Sequence, residues 1–307
     1  MRLVSCIASV IVVIVEIGVP VAALAETVDK STVNEKPLVK KAPKSNPRQA
    51  KPDKNQYWLL RPVPPDQMRS FSTDRPPKAN VPYTVDAGHF QYETDLVNFT
   101  HQVTGSAHTD TLLAPNPTFK VGVTNNADLE INTPFAGVHS FNTATAVSTT
   151  LWGIGDTFVR SKINLWGNDG GDSAAALIPY VKAPSAIGNG AVEGGLIGPV
   201  ALNLPNNFTL LLGPELDVLK DNADNGRHPN YIFDVNLSRE VIKNVTAYVE
   251  LWSDYNADPT QRATLMSFDA AVAWIFLPNV QVDIGANFGL TSGTPAIQVF
   301  AGLSQRF

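Results

Sequence analysis

From Val81 to the C-terminus the chain alternates apolar and polar positions in short runs, and no run keeps an apolar period of 3.6 residues for long. Val280, Val282, Ile284, Ala286, Phe288 and Leu290 fall on one face of an extended segment, with Gln281, Asp283, Gly285, Asn287 and Gly289 on the other. Phe208 to Val218, Tyr231 to Ser238, Val245 to Trp252 and Ser267 to Phe276 repeat the scheme. One face of such a strand suits hydrocarbon and the other water. The pattern predicts strands near 83–100, 118–124, 127–137, 155–166, 173–183, 192–204, 207–218, 230–239, 244–254, 265–276, 279–290 and 296–307. Tight connections, such as Asn125-Asn126, Pro205-Asn206 and Pro278, alternate with longer ones at 101–117, 138–154 and 219–229. About twelve strands with alternately short and long connections predict an all-β fold: a transmembrane antiparallel up-and-down β-barrel, its short turns and both chain ends on the periplasmic side.

A secreted soluble β-sandwich would alternate too, but its strands need a dry face against a core. Here the polar faces are rich in acids and the apolar faces nearly free of charge, which fits lipid outside and water or ion pairs inside. Tyr83, Phe208, Tyr231, Tyr255, Trp274, Phe276 and Phe307 fall near strand ends, where rings suit interfacial girdles.

Upstream of residue 81 the texture differs. Residues 1–25 carry Arg2, an apolar run from Leu3 to Val15 and Ala23-Leu24-Ala25, the form of a secretory signal. Its run is shorter than the roughly 20 residues of a spanning helix. Cys6 is the one cysteine and lies within it, so no disulfide or thiolate site is expected beyond. Residues 26–80 are dense in Pro, Lys, Asn and Ser, a composition too polar to fold alone. They are expected to form a disordered periplasmic leader, with the part around Tyr57, Trp58, Leu59 and Leu60 a candidate plug. The net charge is −5 while residues 26–55 are basic, so the body is acidic and nucleic acid is not an expected partner.

Inward projection of the strands gathers Arg160 and Lys162 on one wall and Glu215, Asp234, Glu250, Asp269 and Asp283 on consecutive strands. Such groups could filter ions by charge or, equally, form a structural network filling a narrow barrel. Trp166, Tyr248, Trp252 and Phe300 project inward by the same count, as a slide for aromatic solutes or as space-filling. The histidines, His89, His101, His108, His139 and His228, show no zinc-binding spacing, and no metal or cofactor is expected. His139-Ser140, or His228 with Asp224, would be the pairs to nominate in a hydrolase.

The segment Leu151-Trp152-Gly153-Ile154-Gly155-Asp156 through Lys162 resembles the G-x-G-D-x-x-x-x-x-K strand of the bacterial outer-membrane family named for the meta-pathway (MetA type) of phenol degradation. Thr73-Asp74-Arg75-Pro76, Tyr83 to Gln91 and the terminal Gln305-Arg306-Phe307 extend the resemblance over roughly residues 70 to 307. It implies an outer-membrane barrel of a Gram-negative bacterium whose relatives are described as transporters. Phe307, preceded by Leu303, Ala301, Val299 and Ile297 at alternate positions, resembles the signal read by the outer-membrane assembly machinery. The expected function is a diffusion route for a small solute, aromatic or hydrophobic solutes included, and not an enzyme. The alternative is a non-conducting barrel whose residues 26–55 contact periplasmic partners or peptidoglycan.

Overall fold

The computed structural model describes residues 53–185 and 190–307. The expected signal and the leader up to residue 52 lie outside these residues. A closed antiparallel barrel of twelve strands forms the wall. In chain order they are β1 (Phe90–Thr104), β2 (Ala107–Leu113 continued by Asn116–Thr124), β3 (Ala127–Asn132 and Phe135–Asn142), β4 (Val147–Ile154 and Thr157–Trp166), β5 (Ser173–Ala183) and β6 (Glu193–Ile197 and Val200–Leu204). The second half is β7 (Phe208–Lys220), β8 (Arg227–Ile242), β9 (Val245–Asn256), β10 (Ala263–Leu277), β11 (Val280–Gly289) and β12 (Ile297–Arg306). Each pairs with its chain neighbour, and β12 closes on β1 with Gln91 opposite Arg306 and His101 opposite Ile297. No helix among the described residues is long and apolar enough to cross a membrane.

The distribution of side chains is the inverse of a soluble protein's. Lys162, Glu130, Asn236, Asp86 and Asp128 are among the largest fully buried side chains. Phe119, Leu129, Ile131, Val159, Leu216, Phe233, Val272, Ile284 and Phe288 are exposed on the outer face. In water so large an apolar surface would drive association, whereas in a bilayer it is the stable arrangement. Tyr231 stacks on Tyr255 near the loop end, and Trp274 packs on Phe276 near the turn end, as expected for girdles.

Three expectations are corrected. The stretches expected as long loops, 101–117 and 138–154, are strand, and the chain reverses at 105–106 and 143–146. These upper parts mix polar residues with apolar ones such as Phe141, Leu151 and Trp152, so the strict alternation of the later strands fades there. At Ala114-Pro115, Thr133-Pro134 and Gly155-Asp156 the neighbouring strands β2, β3 and β4 break at one level; Pro115 and Pro134 cannot donate to the ladder, and Gly155 donates to the Pro134 carbonyl. Residues 83–89, expected to open the first strand, instead run inside the wall: Thr84, Val85, Asp86 and Ala87 are buried and β1 starts at Phe90. Tyr83 therefore belongs to no girdle; it packs with Val81 against the inward-facing cluster of Ala79, Ala201 and Leu211.

Candidate functional site in the barrel lumen

Residues 53–89 do not hang free. At the turn end, Leu59 donates its N–H to the Val123 carbonyl at 2.9 Å, and Trp58 bridges to Thr124. Trp58, Leu59 and Leu60 stay exposed there, so the apolar stretch expected as a plug sits at the mouth and another part of the chain enters. Asp169, in the turn after β4, accepts hydrogen bonds from Lys54 Nζ at 2.7 Å and Arg69 Nε at 3.0 Å. Burial alone would raise the Asp169 pKa; the hydrogen bonds and charges of Lys54 and Arg69 outweigh it and hold the carboxyl below its ordinary value.

From Arg69 the chain rises into the lumen, turns around residues 76–80 and returns to Asp86, forming a strap. Its rising limb is pinned by Asp74, whose carboxylate accepts from Lys162 Nζ at 2.8 Å and is also bonded by Lys120. The backbone N–H groups of Asp74 and Arg75 donate to Glu93 at 3.0 and 3.2 Å. Arg75 grips Asp283 with Nε and Nη2, at 3.1 and 2.7 Å, and Asp95 with Nη1 at 2.6 Å, over the ring of Phe300. Lys78 donates to Ser267 at 2.6 Å, pairs with Asp269 at 3.0 Å and lies 4.3 Å from the ring centre of Trp252. Glu250 accepts the backbone N–H groups of Lys78 and Ala79 at 2.9 and 3.2 Å. On the way back, Asn164 donates to the Pro82 carbonyl and Val85 donates to Asp128, both at 2.9 Å.

The strap spans the barrel. Asp74 is tied to Lys162 on β4 and Lys78 to Asp269 on β10, six strands apart in a ring of twelve and so on opposite walls. A cavity of about 480 Å³ lies on its turn side, where Phe71, Tyr83, Phe208, Tyr248 and Gln281 contribute to the lining. Another, of about 240 Å³, is lined by Glu93, Lys120, Glu130, Arg160 and Glu215. Arg75 and Pro77 line both, so the tip of the strap stands between them.

The charged residues projected inward do face the lumen. Lys162, Asp234, Glu250, Asp269 and Asp283 are buried, and Arg160 and Glu215 line the smaller cavity. Four of them, Lys162, Glu250, Asp269 and Asp283, are occupied by the strap. Among the described residues, Asp234 Oδ1 is buried without a hydrogen-bond partner, as is Arg160 Nε. Of the aromatics, Trp252 and Phe300 carry the strap's cations and Tyr248 lines the larger cavity, which is not a continuous slide. Trp166 is corrected: it is exposed on the outer face, because a β-bulge between Asn164 and Trp166 adds one residue and reverses the alternation.

The nominated hydrolase pairs are not assembled. His139 bonds Thr150 while Ser140 bonds Thr109, and successive strand residues face opposite sides. His228 Nδ1 meets Asp221 at 2.7 Å, whereas Asp224 accepts the Gly226 N–H. Asp221, His228 and Asp258 bring potential ligand atoms within 4.8 Å of one another among the loops. Their hydrogen bonds already account for that grouping: Asp258 caps its own loop through Thr260 and Gln261 and holds the Asn222 N–H, and these bonds depress its pKa.

Sequence reading missed Asp74, Arg75, Lys78, Glu93, Asp95, Lys120, Asp128 and Glu130. The signal available was charge: a Pro-rich stretch carrying Asp74, Arg75 and Lys78 complements inward-facing residues of opposite sign.

Residues 73–307 match the model of the family described as "Putative MetA-pathway of phenol degradation". The chain belongs to that family. The match begins at the rising limb of the strap, so in this family member strap and wall fall within one matched region. No curated protein matches the chain by sequence. Among solved structures, the COG4313 outer membrane channel from Pseudomonas putida F1 is 14% identical, covering 77% of this chain and all of that one, with a TM-score of 0.61. The translocator domain of the autotransporter NalP from Neisseria meningitidis is 11% identical, covering 71% of this chain and 88% of that one, with a TM-score of 0.48. The first likeness establishes the fold alone, a closed antiparallel β-barrel, in agreement with the apolar belt.

Proposed function

We propose that this family member is an outer-membrane channel for small solutes, held closed by the strap, and that it performs no catalysis. The observation that carries the reading is the strap's span from Lys162 on β4 to Asp269 on β10, with a cavity on either side of Arg75. A wall that needed only a filler would be served by apolar side chains, since buried ion pairs recover their desolvation cost poorly. Ion pairs are suited to a part that must leave and return, because water can solvate both halves when they separate. The smaller cavity is lined by charged side chains, which favours solutes with polar or ionic groups. The larger one adds Phe71, Tyr83 and Tyr248, which accommodates a ring on such a solute.

In the same reading the lipid of the outer membrane covers the belt, and the assembly machinery reads the end of β12. Phe307 exchanges backbone hydrogen bonds with Phe90 and stacks on Tyr92 with its ring exposed, which keeps it available on the outer face. Residues 26–55 are assigned to the periplasm, where their basic side chains suit acidic partners or peptidoglycan. The second reading is a non-conducting structural barrel, which the strap's backbone hydrogen bonds to Glu93, Glu250 and Asp128 favour.

Liposome swelling separates the two. Vesicles holding the chain with Arg75→Ala and Lys78→Ala are expected to swell in small polar solutes faster than vesicles holding the unmodified chain. Equal, background swelling for both would overturn the channel reading in favour of the structural one.

A further inference from the structure

We propose that the slot formed by Asp95, Asp283, Phe300 and Gly302 is a binding site for organic cations bearing a guanidinium group, which compete there with Arg75. The inference deepens the channel reading and rests on the strap being displaceable. It names the class of solute that the wall recognises.

The slot belongs to the wall, not to the strap. Gly302 on β12 stands directly opposite Asp95 on β1 and opposite Asp283 on β11, so one cross-strand row reads carboxylate, glycine, carboxylate. Side chains opposite one another on antiparallel strands share a face, and both acids point inward, 2% and 5% exposed. The glycine between them is required by the occupant. A Cβ on Gly302 would overlap Arg75 Nη2, so any other residue would fill the place that the guanidinium takes. Phe300, two residues along the same strand, supplies a ring face 5.6 Å from the guanidinium carbon. Asp95 is held in position from the far side by Asn98 and Asn116, which donate to its Oδ2 at 3.2 and 2.7 Å.

This is recognition of a planar fork. Asp283 takes two parallel N–H groups and Asp95 a third, a geometry that guanidinium fits and an ammonium ion does not. The strap delivers to the slot one side chain, and when that side chain leaves, two buried carboxylates face each other across a glycine with no cation between them. A soluble guanidinium restores all three contacts and the ring face. It can approach along either cavity, since Arg75 lines both.

The test is titration calorimetry on the full chain carrying Arg75→Ala, refolded in detergent and verified as a closed barrel by its heat-dependent gel mobility. Agmatine is expected to bind saturably and at least about tenfold more tightly than putrescine, which offers ammonium groups alone. Adding Asp283→Asn is expected to abolish that difference. Should Arg75→Ala fail to fold, Arg75→Lys keeps the charge without the fork, and the same preference is expected against the weaker competitor. Agmatine binding no tighter than putrescine, or binding indifferent to Asp283→Asn, would overturn the proposal. Calorimetry does not depend on conduction: a filled slot in a barrel that passes no solute would refute the channel reading and leave the site standing.

Discussion

Asp74 and Lys162 lie 88 positions apart in the chain and meet at 2.8 Å inside the barrel, with the lysine side chain 1% exposed. Lys162 also lies 3.4 Å from Glu130, and Lys120 joins Asp74 to Glu93 and Glu130. Both lysines are buried, and the acids of the group depend on them for charge balance.

Lys162→Met is expected to destabilise the folded barrel by about 3–5 kcal/mol, the cost of leaving buried carboxylates without their cation. Urea unfolding in detergent measures it. Pairing Lys162→Met with Asp74→Asn is expected to cost less than the two changes summed, because the partners share one network. Strict additivity would show that the two residues do not interact.

Gly302→Ala is expected to leave folding intact and loosen the strap. The added methyl would occupy the position of Arg75 Nη2, and the guanidinium can move where the wall cannot. Solute flux is expected to rise in the same direction as for the chain carrying Arg75→Ala and Lys78→Ala, read by liposome swelling. Flux unchanged from the native chain would mean that the slot does not hold the strap closed.

The clasp at the turn end carries a pH dependence. Asp169 has a folded pKa below its unfolded value, so its contribution is complete at neutral pH and is lost as pH falls through the depressed value. Protection of residues 53–69 from an acid-active protease is expected to hold from neutral pH down to about pH 4 and to fall on further acidification. Asp169→Asn removes the ion pairs at every pH and is expected to flatten that profile. A profile identical for both chains would exclude Asp169 as the acid-sensitive group.

On the outer face, Val272 and Ile284 are cross-strand partners in the middle of β10 and β11. Replacing either with Arg is expected to cost about 2–4 kcal/mol in a bilayer, the penalty for a cation near the hydrocarbon midplane. Unfolding titrations in lipid vesicles measure this, and a negligible cost would place the pair outside the hydrocarbon.

How much of this the sequence disclosed follows from where each residue meets lipid. Strands β7 to β12 follow the alternation closely, since each has one face on hydrocarbon and one on the lumen. The upper parts of β2 to β4 carry runs such as Ser148-Thr149-Thr150 and Leu151-Trp152 that break the alternation, and they read as loops. Trp166 was assigned the wrong face because a bulge leaves no periodic trace when one residue is inserted. Glu250, Asp269 and Asp283 could be placed inside by parity, but their partners could not. Those partners lie on a Pro-rich segment without periodicity, whose conformation comes from the wall around it rather than from its own pattern.

The central claim is that the strap closes the lumen by ion pairs to opposite walls. Single-channel recording in a planar bilayer tests it most directly, comparing the full chain with the chain carrying Arg75→Ala and Lys78→Ala, both verified as closed barrels. The account expects rare, brief openings from the full chain and steady conductance steps from the double variant. Steady and equal steps from both would show that the strap does not block the path, and silence from both would show that the barrel is not a channel.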